Sequence, residues 1–208
     1  MPSPSKYTPM DHEQVLTTAG RLVRRAILNG WEVRARTRTD AGVDLEFWDH
    51  PSADPVEASL VPGEDRMTQI TIPEEQPLGR CDQSHWNVDY LTALATPARS
   101  PRPGPTARRI ELATDGANLA RRAVLHGWDI YASWHRNTLY SLEPDPELRV
   151  QFTTTLDDDL SAEHIQSRGG FSRTAFSPQA ASHGNGCTLA ALKRLLNQNP
   201  AALISPAC

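Results

Sequence analysis

The sequence predicts an α+β protein built from two tandem pseudo-symmetric αβββα modules, each an antiparallel sheet with its helices on one face. Three observations lead there: a gapless internal repeat, the change from helical to alternating hydrophobic spacing within each copy, and a Pro/Arg-rich segment between the copies. The repeat is LVRRAILNGW (22–31) against LARRAVLHGW (119–128), an offset of 97 residues. It holds from Leu22/Leu119 to Glu46/Glu143, with ten of 25 positions identical. A second patch follows at offset 98, where SHWNVDYLTAL (84–94) faces SHGNGCTLAAL (182–192), six of eleven identical. Two copies are too few for a solenoid, so paired small domains are the expected outcome.

The elements follow in order. Residues 1–12 carry Pro2, Pro4 and Pro9 among small polar residues and are expected to be a disordered tail. From Gln14 to Leu28, apolar residues at Val15, Ala19, Leu22, Val23, Ala26 and Ile27 make one helical stripe. Asn29-Gly30 stops that helix and Trp31 is expected to fold back as a core anchor. Val33, Ala35 and Thr37 alternate with Arg34, Arg36 and Arg38, a strand with three guanidinium groups on one face. Thr39 to Gly42 is a turn, and Val43, Leu45 and Phe47 return as a hairpin. Met67–Ile72 is a further strand, with a possible short one at Val56–Val61, and Val88–Thr96 is the closing helix, with Ser84 or Asn87 as its N-cap. Residues 97–109 (PARSPRPGPTARR) are expected to be an extended basic linker.

The second module, 110–200, repeats the order. A helix ends at Gly127 with Trp128 as anchor, a strand follows at Ile130–His135, and a turn at Arg136-Asn137 leads to Leu139–Leu142. Leu148–Thr154 is a further strand, Leu156–Gly170 an acidic excursion, Phe171–Phe176 a last strand, and Thr188–Asn197 the closing helix with Ser182–Asn185 before it. Residues 201–208 are a tail.

Composition bounds the function. Apolar content of 38% with five Trp supports an ordinary core. No apolar run reaches the roughly 18–20 residues of a membrane span, so no membrane role is expected. The first residues lack a signal-peptide core, and Cys81, Cys187 and Cys208 are few and far apart, so a cytoplasmic protein with free thiols and no metal or cofactor is expected. The net charge of −4 is unevenly spread. Residues 13–96 carry 8 basic against 14 acidic side chains, 97–109 carry four Arg, and 110–200 carry 8 against 10. A broad non-specific nucleic-acid surface is disfavoured by that balance, but a local basic face is not.

The order of elements resembles the small αβββα domains of the HicA type, which belong to toxin–antitoxin pairs and share the fold of double-stranded-RNA-binding domains. The residues that carry the resemblance are Leu28 to Val33, Leu125 to Ile130 and Gly186 to Leu192. The resemblance implies a nucleic-acid-handling ancestry. It does not imply the family's ribonuclease activity, because the Gly-Ser-His of that family's first hairpin is replaced by Arg38-Thr39-Asp40 and His135-Arg136-Asn137.

Two sets of polar residues stand out as candidates. Arg24-Arg25 and Arg121-Arg122 recur in both copies and suit phosphate, with Arg34, Arg36 and Arg38 extending the patch. Their bland alternative is a solvated helix face salt-bridged to the many acids. Ser84, His85 and Asn87 recur as Ser182, His183 and Asn185, expected at helix N-termini where an anion is favoured. There the bland alternative is capping by Ser and Asn with His packed on the sheet. The reading is a non-enzymatic regulatory or accessory protein binding nucleic acid (RNA or DNA) or a protein partner through the basic helix face and linker. A ribonuclease-like enzyme using His85 and His183, and a purely protein-binding module with acidic faces, are the alternatives. Trp31 and Trp128 suit the core better than base stacking, and Asp157–Asp159 lack the spacing of a cation cage.

Overall fold

In the computed structural model, residues 10–48, 54–63, 69–71, 107–137, 145–167 and 172–204 are described. The opening helix α1 (His12–Leu28) starts on a capping box. Asp11 Oδ1 accepts the Gln14 N–H at 2.8 Å and Gln14 Oε1 accepts the Asp11 N–H at 3.0 Å. Strands β1 (Glu32–Thr37), β2 (Val43–Trp48), β3 (Val56–Leu60) and β4 (Gln69–Thr71) follow. The second repeat supplies α2 (Ala107–Leu125), β5 (Asp129–Asn137), β6 (Asp145–Thr153), β7 (Ala162–Ser167) and β8 (Ser172–Phe176). Three short helices close the chain: α3 (Pro178–Gly184), α4 (Leu189–Leu195) and α5 (Pro200–Ile204).

The helix-to-strand hinge is built identically in both repeats. Gly30 and Gly127 take left-handed φ of 87° and 85°, which glycine adopts without strain. The following Trp31 and Trp128 N–H groups reach back to the carbonyls of Ala26 and Ala123, each at 3.0 Å. Both indoles enter the core, with Trp31 6% and Trp128 0% exposed. Trp128 Nε1 donates to the Gln198 carbonyl at 2.8 Å and so ties the hinge to the closing helices.

The described strands form one antiparallel sheet in the order β4-β3-β2-β1-β5-β6-β7-β8. The two repeats meet edge to edge at β1 and β5, where Val33 pairs with Ala132, Arg34 with Tyr131 and Ala35 with Ile130. Arg34 and Tyr131 are the same position of the repeat at offset 97. Asp129 closes one end of this seam, its Oδ1 accepting the Thr37 N–H at 2.7 Å. Helices α1 and α2 pack on each other over one face. Gly20 lets them approach: a Cβ there would lie 3.1 Å from the Arg121 carbonyl. Beneath them Val33, Ala35, Leu45, Ile130, Ala132, Val150 and Phe152 are buried.

The fold is α+β as expected, with four differences. Among the described residues each repeat shows four strands, against the three of the αβββα order. β7 lies inside the stretch read as an acidic excursion; Leu160, Ala162 and Ile165 are buried there. β5 runs on through Asn137, so Arg136-Asn137 is strand rather than turn. The boundaries also move: His12 belongs to α1 with Asp11 as its N-cap, Ala107–Arg109 belong to α2 and Ala201–Ile204 to α5. Residues 84–106, with the first closing helix and most of the linker, and residues 138–144, with the strand expected at Leu139–Leu142, lie outside the described residues.

Trp128→Ala removes the largest fully buried side chain and a hydrogen bond, and should cost about 3–5 kcal/mol in urea unfolding. Unchanged stability would mean that the indole is not a core residue.

Candidate functional site

Helix geometry decides where the repeated arginines go. In α1 the buried stripe leaves Glu13, Gln14, Thr17, Arg21, Arg24, Arg25 and Leu28 on the outer arc. In α2 the outer arc carries Thr114, Asp115, Asn118, Arg121, Arg122 and Leu125. The two helices are neighbours, so five arginines share one layer, with Glu13 in the first turn of α1 and Asp115 on α2 the acids of these arcs among the described side chains.

Two of the five are held by neutral amide oxygens. Arg24 Nε donates to Asn118 Oδ1 at 2.7 Å, across the α1–α2 seam. Arg122 Nη1 donates to Asn197 Oδ1 at 2.8 Å, linking α2 to the end of α4. An amide orients a guanidinium without cancelling its charge. Arg194 behaves alike, Nη2 donating to the Gly184 carbonyl at 3.1 Å, and Lys193 beside it is exposed. Among the described residues, no carboxylate pairs with Arg21, Arg24, Arg25, Arg121 or Arg122. The salt-bridged helix face weighed from the sequence is thus not seen among the described residues.

The arginines of the sheet are on the other side. Val33 and Ala35 face the helices, so Arg34 and Arg36 point away from them. Arg34 pairs with Glu46 at 3.3 Å, and its guanidinium lies 5.3 Å from the Tyr131 ring centre and 5.8 Å from that of Trp48. Arg38 pairs with Asp40 at 2.8 Å and Asp44 at 3.6 Å; Arg149 pairs with Glu147 at 3.1 Å and Glu163 at 3.6 Å. Arg36 is exposed on this same face. Arg34, Arg36 and Arg38 thus do not extend the helix patch: the sheet separates the two sets, and acids hold the guanidinium groups of Arg34 and Arg38.

The Ser-His-x-Asn motif is also placed differently. Ser182 and His183 lie in the last turn of α3, and Asn185 is its left-handed C-cap, φ 54°. Ser182 Oγ donates to the Gln179 carbonyl at 2.7 Å. The N-cap of the closing helix α4 is Thr188, whose Oγ1 accepts the Ala191 N–H at 3.1 Å. A helix C-terminus repels anions, so the phosphate-holding argument for His183 does not survive. Ser84, His85 and Asn87 lie outside the described residues. The residues that sequence reasoning missed are Asn118, Asn197, Lys193 and Arg194; pairing between Arg24 and a side chain 94 residues away leaves no local signal.

The charged groups away from this layer are constrained. His164 is fully buried under α2, and neither ring nitrogen has a hydrogen-bond partner. Gln166 beside it spends its carbonyl on the Gly116 N–H at 3.3 Å. Burial first, and Lys193 further, push the imidazole below its ordinary value of 6.5, against Asp115 and Gln166. Asp129 is pushed up by burial, opposed by the backbone N–H groups of Thr37 and Thr155. Among the described residues there is no group of three His, Cys, Asp or Glu side chains arranged to hold a metal ion, and no helix long and apolar enough to cross a membrane.

No protein-family model, curated protein or solved structure matches this chain.

A depressed folded-state value means that the unfolded chain takes up its proton first as pH falls. Stability should therefore be level above the ordinary histidine range and drop once pH passes below 6.5. His126, lowered by burial and Arg122, adds in the same direction. Urea midpoints of wild type and His164→Leu on either side of that range test this, and an unaltered pH dependence in the variant would contradict it.

Proposed function

We propose that the chain is a non-enzymatic accessory protein that binds a polyanion, nucleic acid first, through the outer face of α1 and α2. It is read as two copies of one α-plus-four-strand unit related by an approximate dyad through the Arg34/Tyr131 pair. That dyad brings the two repeated Arg pairs onto one surface. The observation that carries the reading is the manner in which these arginines are held. Arg24 and Arg122 lean on amide oxygens and none of the five meets a carboxylate among the described residues, while Arg34, Arg38 and Arg149 on the far face all do. Oriented, uncompensated guanidinium groups suit phosphate oxygens. The resemblance to HicA-type modules and a cytoplasmic setting agree with this reading.

A purely protein-binding module is the second reading, favoured by one feature. Glu46 lies directly opposite Glu57 across β2 and β3, with Asp44 close by, an acidic strip that a basic partner would relieve. The ribonuclease alternative has less support, because His183 has no hydrogen-bond partner among the described residues.

Anisotropy titrations with a labelled oligonucleotide duplex test the leading reading. Five arginine–phosphate contacts give a log–log salt slope of about −4.5, roughly a 500-fold loss between about 50 and 200 mM salt. Replacing Arg24 and Arg25, or Arg121 and Arg122, by Ala should reduce that slope by about two. No binding at low salt would overturn the reading, and cleavage of RNA abolished by His183→Ala would replace it with the enzyme.

A further inference from the structure

The seam between α1 and α2 offers one contact twice. Positions 97 apart correspond in the repeat, so Arg21 matches Asn118 and Arg24 matches Arg121. Strands β1 and β5 run antiparallel with Arg34 opposite Tyr131, its own counterpart, so the helices that precede them face each other in reverse order. The contact between Arg24 and Asn118 therefore has a counterpart between Arg121 and Arg21. In the first, Arg24 Nε donates to Asn118 Oδ1 at 2.7 Å. In the second, an arginine stands where the amide would be.

Packing carries Arg121 to that place. Its stem lies over Gly20, the residue before Arg21: a Cβ on Gly20 would meet Arg121 Cγ at 3.3 Å. Exposure follows the partners. Arg24, held by the amide, is half-buried, whereas Arg121 and Arg21 are both exposed. Neither of these two has a hydrogen bond or ion pair among the described residues. Glu13 and Asp115 lie N-terminal to them on their helices and pair with neither. Two like charges facing one another repel. An anion between them turns the repulsion into two charge-assisted contacts, and the guanidinium fork matches phosphate oxygens.

We propose that Arg21 and Arg121 together form a site for one phosphate group on one side of the α1–α2 seam, and that Asn118 closes the equivalent place on the other side. The seam thus takes one such group, not two. This deepens the polyanion reading and rests on it for the source of the phosphate, the backbone of a nucleic acid. A free phosphate ion would meet the same two forks.

The test uses the full chain and inorganic phosphate, with sodium chloride at equal ionic strength as the reference. In wild type the Nε–Hε resonances of Arg21 and Arg121 should shift together and saturably, while that of Arg24 stays in place. Arg21→Asn copies the closed half of the seam and should weaken phosphate binding about tenfold or more. Arg121→Gln, at a second exposed position, should do the same. Arg36→Asn removes one charge from the sheet face and should leave phosphate binding as in wild type. Asn118→Arg opens the other half and should bring the Arg24 resonance into the saturable shift. The proposal is overturned by the absence of saturable shifts in wild type, by unchanged affinity in both Arg21→Asn and Arg121→Gln, or by an unmoved Arg24 resonance in Asn118→Arg. A labelled duplex then identifies the source. Weaker duplex binding by Arg21→Asn, with a salt slope reduced by about one, assigns the site to a backbone phosphate. Duplex affinity equal to wild type, with phosphate binding lost, assigns it to a free phosphate. If wild type takes phosphate but no duplex, the polyanion reading fails and the site stands; if it binds duplex but no phosphate, the site fails and that reading stands.

Discussion

The structure depends on the pairing of β1 with β5. A four-stranded unit with helices on one face leaves an edge strand with unsatisfied N–H and C=O groups, and such an edge invites pairing with another chain. Here the edge of each repeat is satisfied by the edge of the other. The pairing register, with Arg34 opposite Tyr131, aligns equal positions of the two repeats. Everything above the sheet inherits that alignment. The helix preceding β1 and the helix preceding β5 are brought side by side, and Gly20 supplies the clearance for their contact.

One consequence is a sorting of charge between the two faces. The chain is acidic in total, yet its helix layer is basic, because strand alternation and helix periodicity distribute side chains independently of the overall count. On the sheet face the guanidinium groups of Arg34, Arg38 and Arg149 meet Glu46, Asp40, Asp44, Glu147 and Glu163. On the helix layer the acids of the outer arcs among the described side chains are Glu13 and Asp115, and amide side chains hold Arg24 and Arg122. Asn118 stands where the first repeat has Arg21. With arginine there, Arg24 would face a like charge across the seam; the asparagine turns that repulsion into a hydrogen bond.

Much of this was legible in the sequence. The 97-residue offset predicted two equal helix–Gly-Trp–strand units, and both hinges have the same capping bonds. The apolar Val33 and Ala35 already implied that Arg34 and Arg36 face away from the helices, so the split between the two arginine sets was available from alternation alone. Other features left no such trace. β7 has a mixed pattern, AEHIQS, in which a buried His164 stands at a core position and hides the period of two. The Ser-His-x-Asn motif looked like the entry to the closing helix, but Asn185-Gly186, both with positive φ, is a helix stop followed by a fresh start at Thr188. Edge-to-edge joining of the repeats follows from tertiary pairing between residues about a hundred positions apart, which no local spacing encodes.

The continuous sheet is the claim on which the shared arginine layer rests, and cross-strand nuclear Overhauser contacts test it directly. Backbone contacts between Arg34 and Tyr131, between Val33 and Ala132 and between Ala35 and Ile130 should be present, with the amides of β1 and β5 exchanging only as slowly as the whole protein unfolds. Absence of those contacts, with β1 and β5 amides exchanging freely as the edges of two independent modules, would contradict the account.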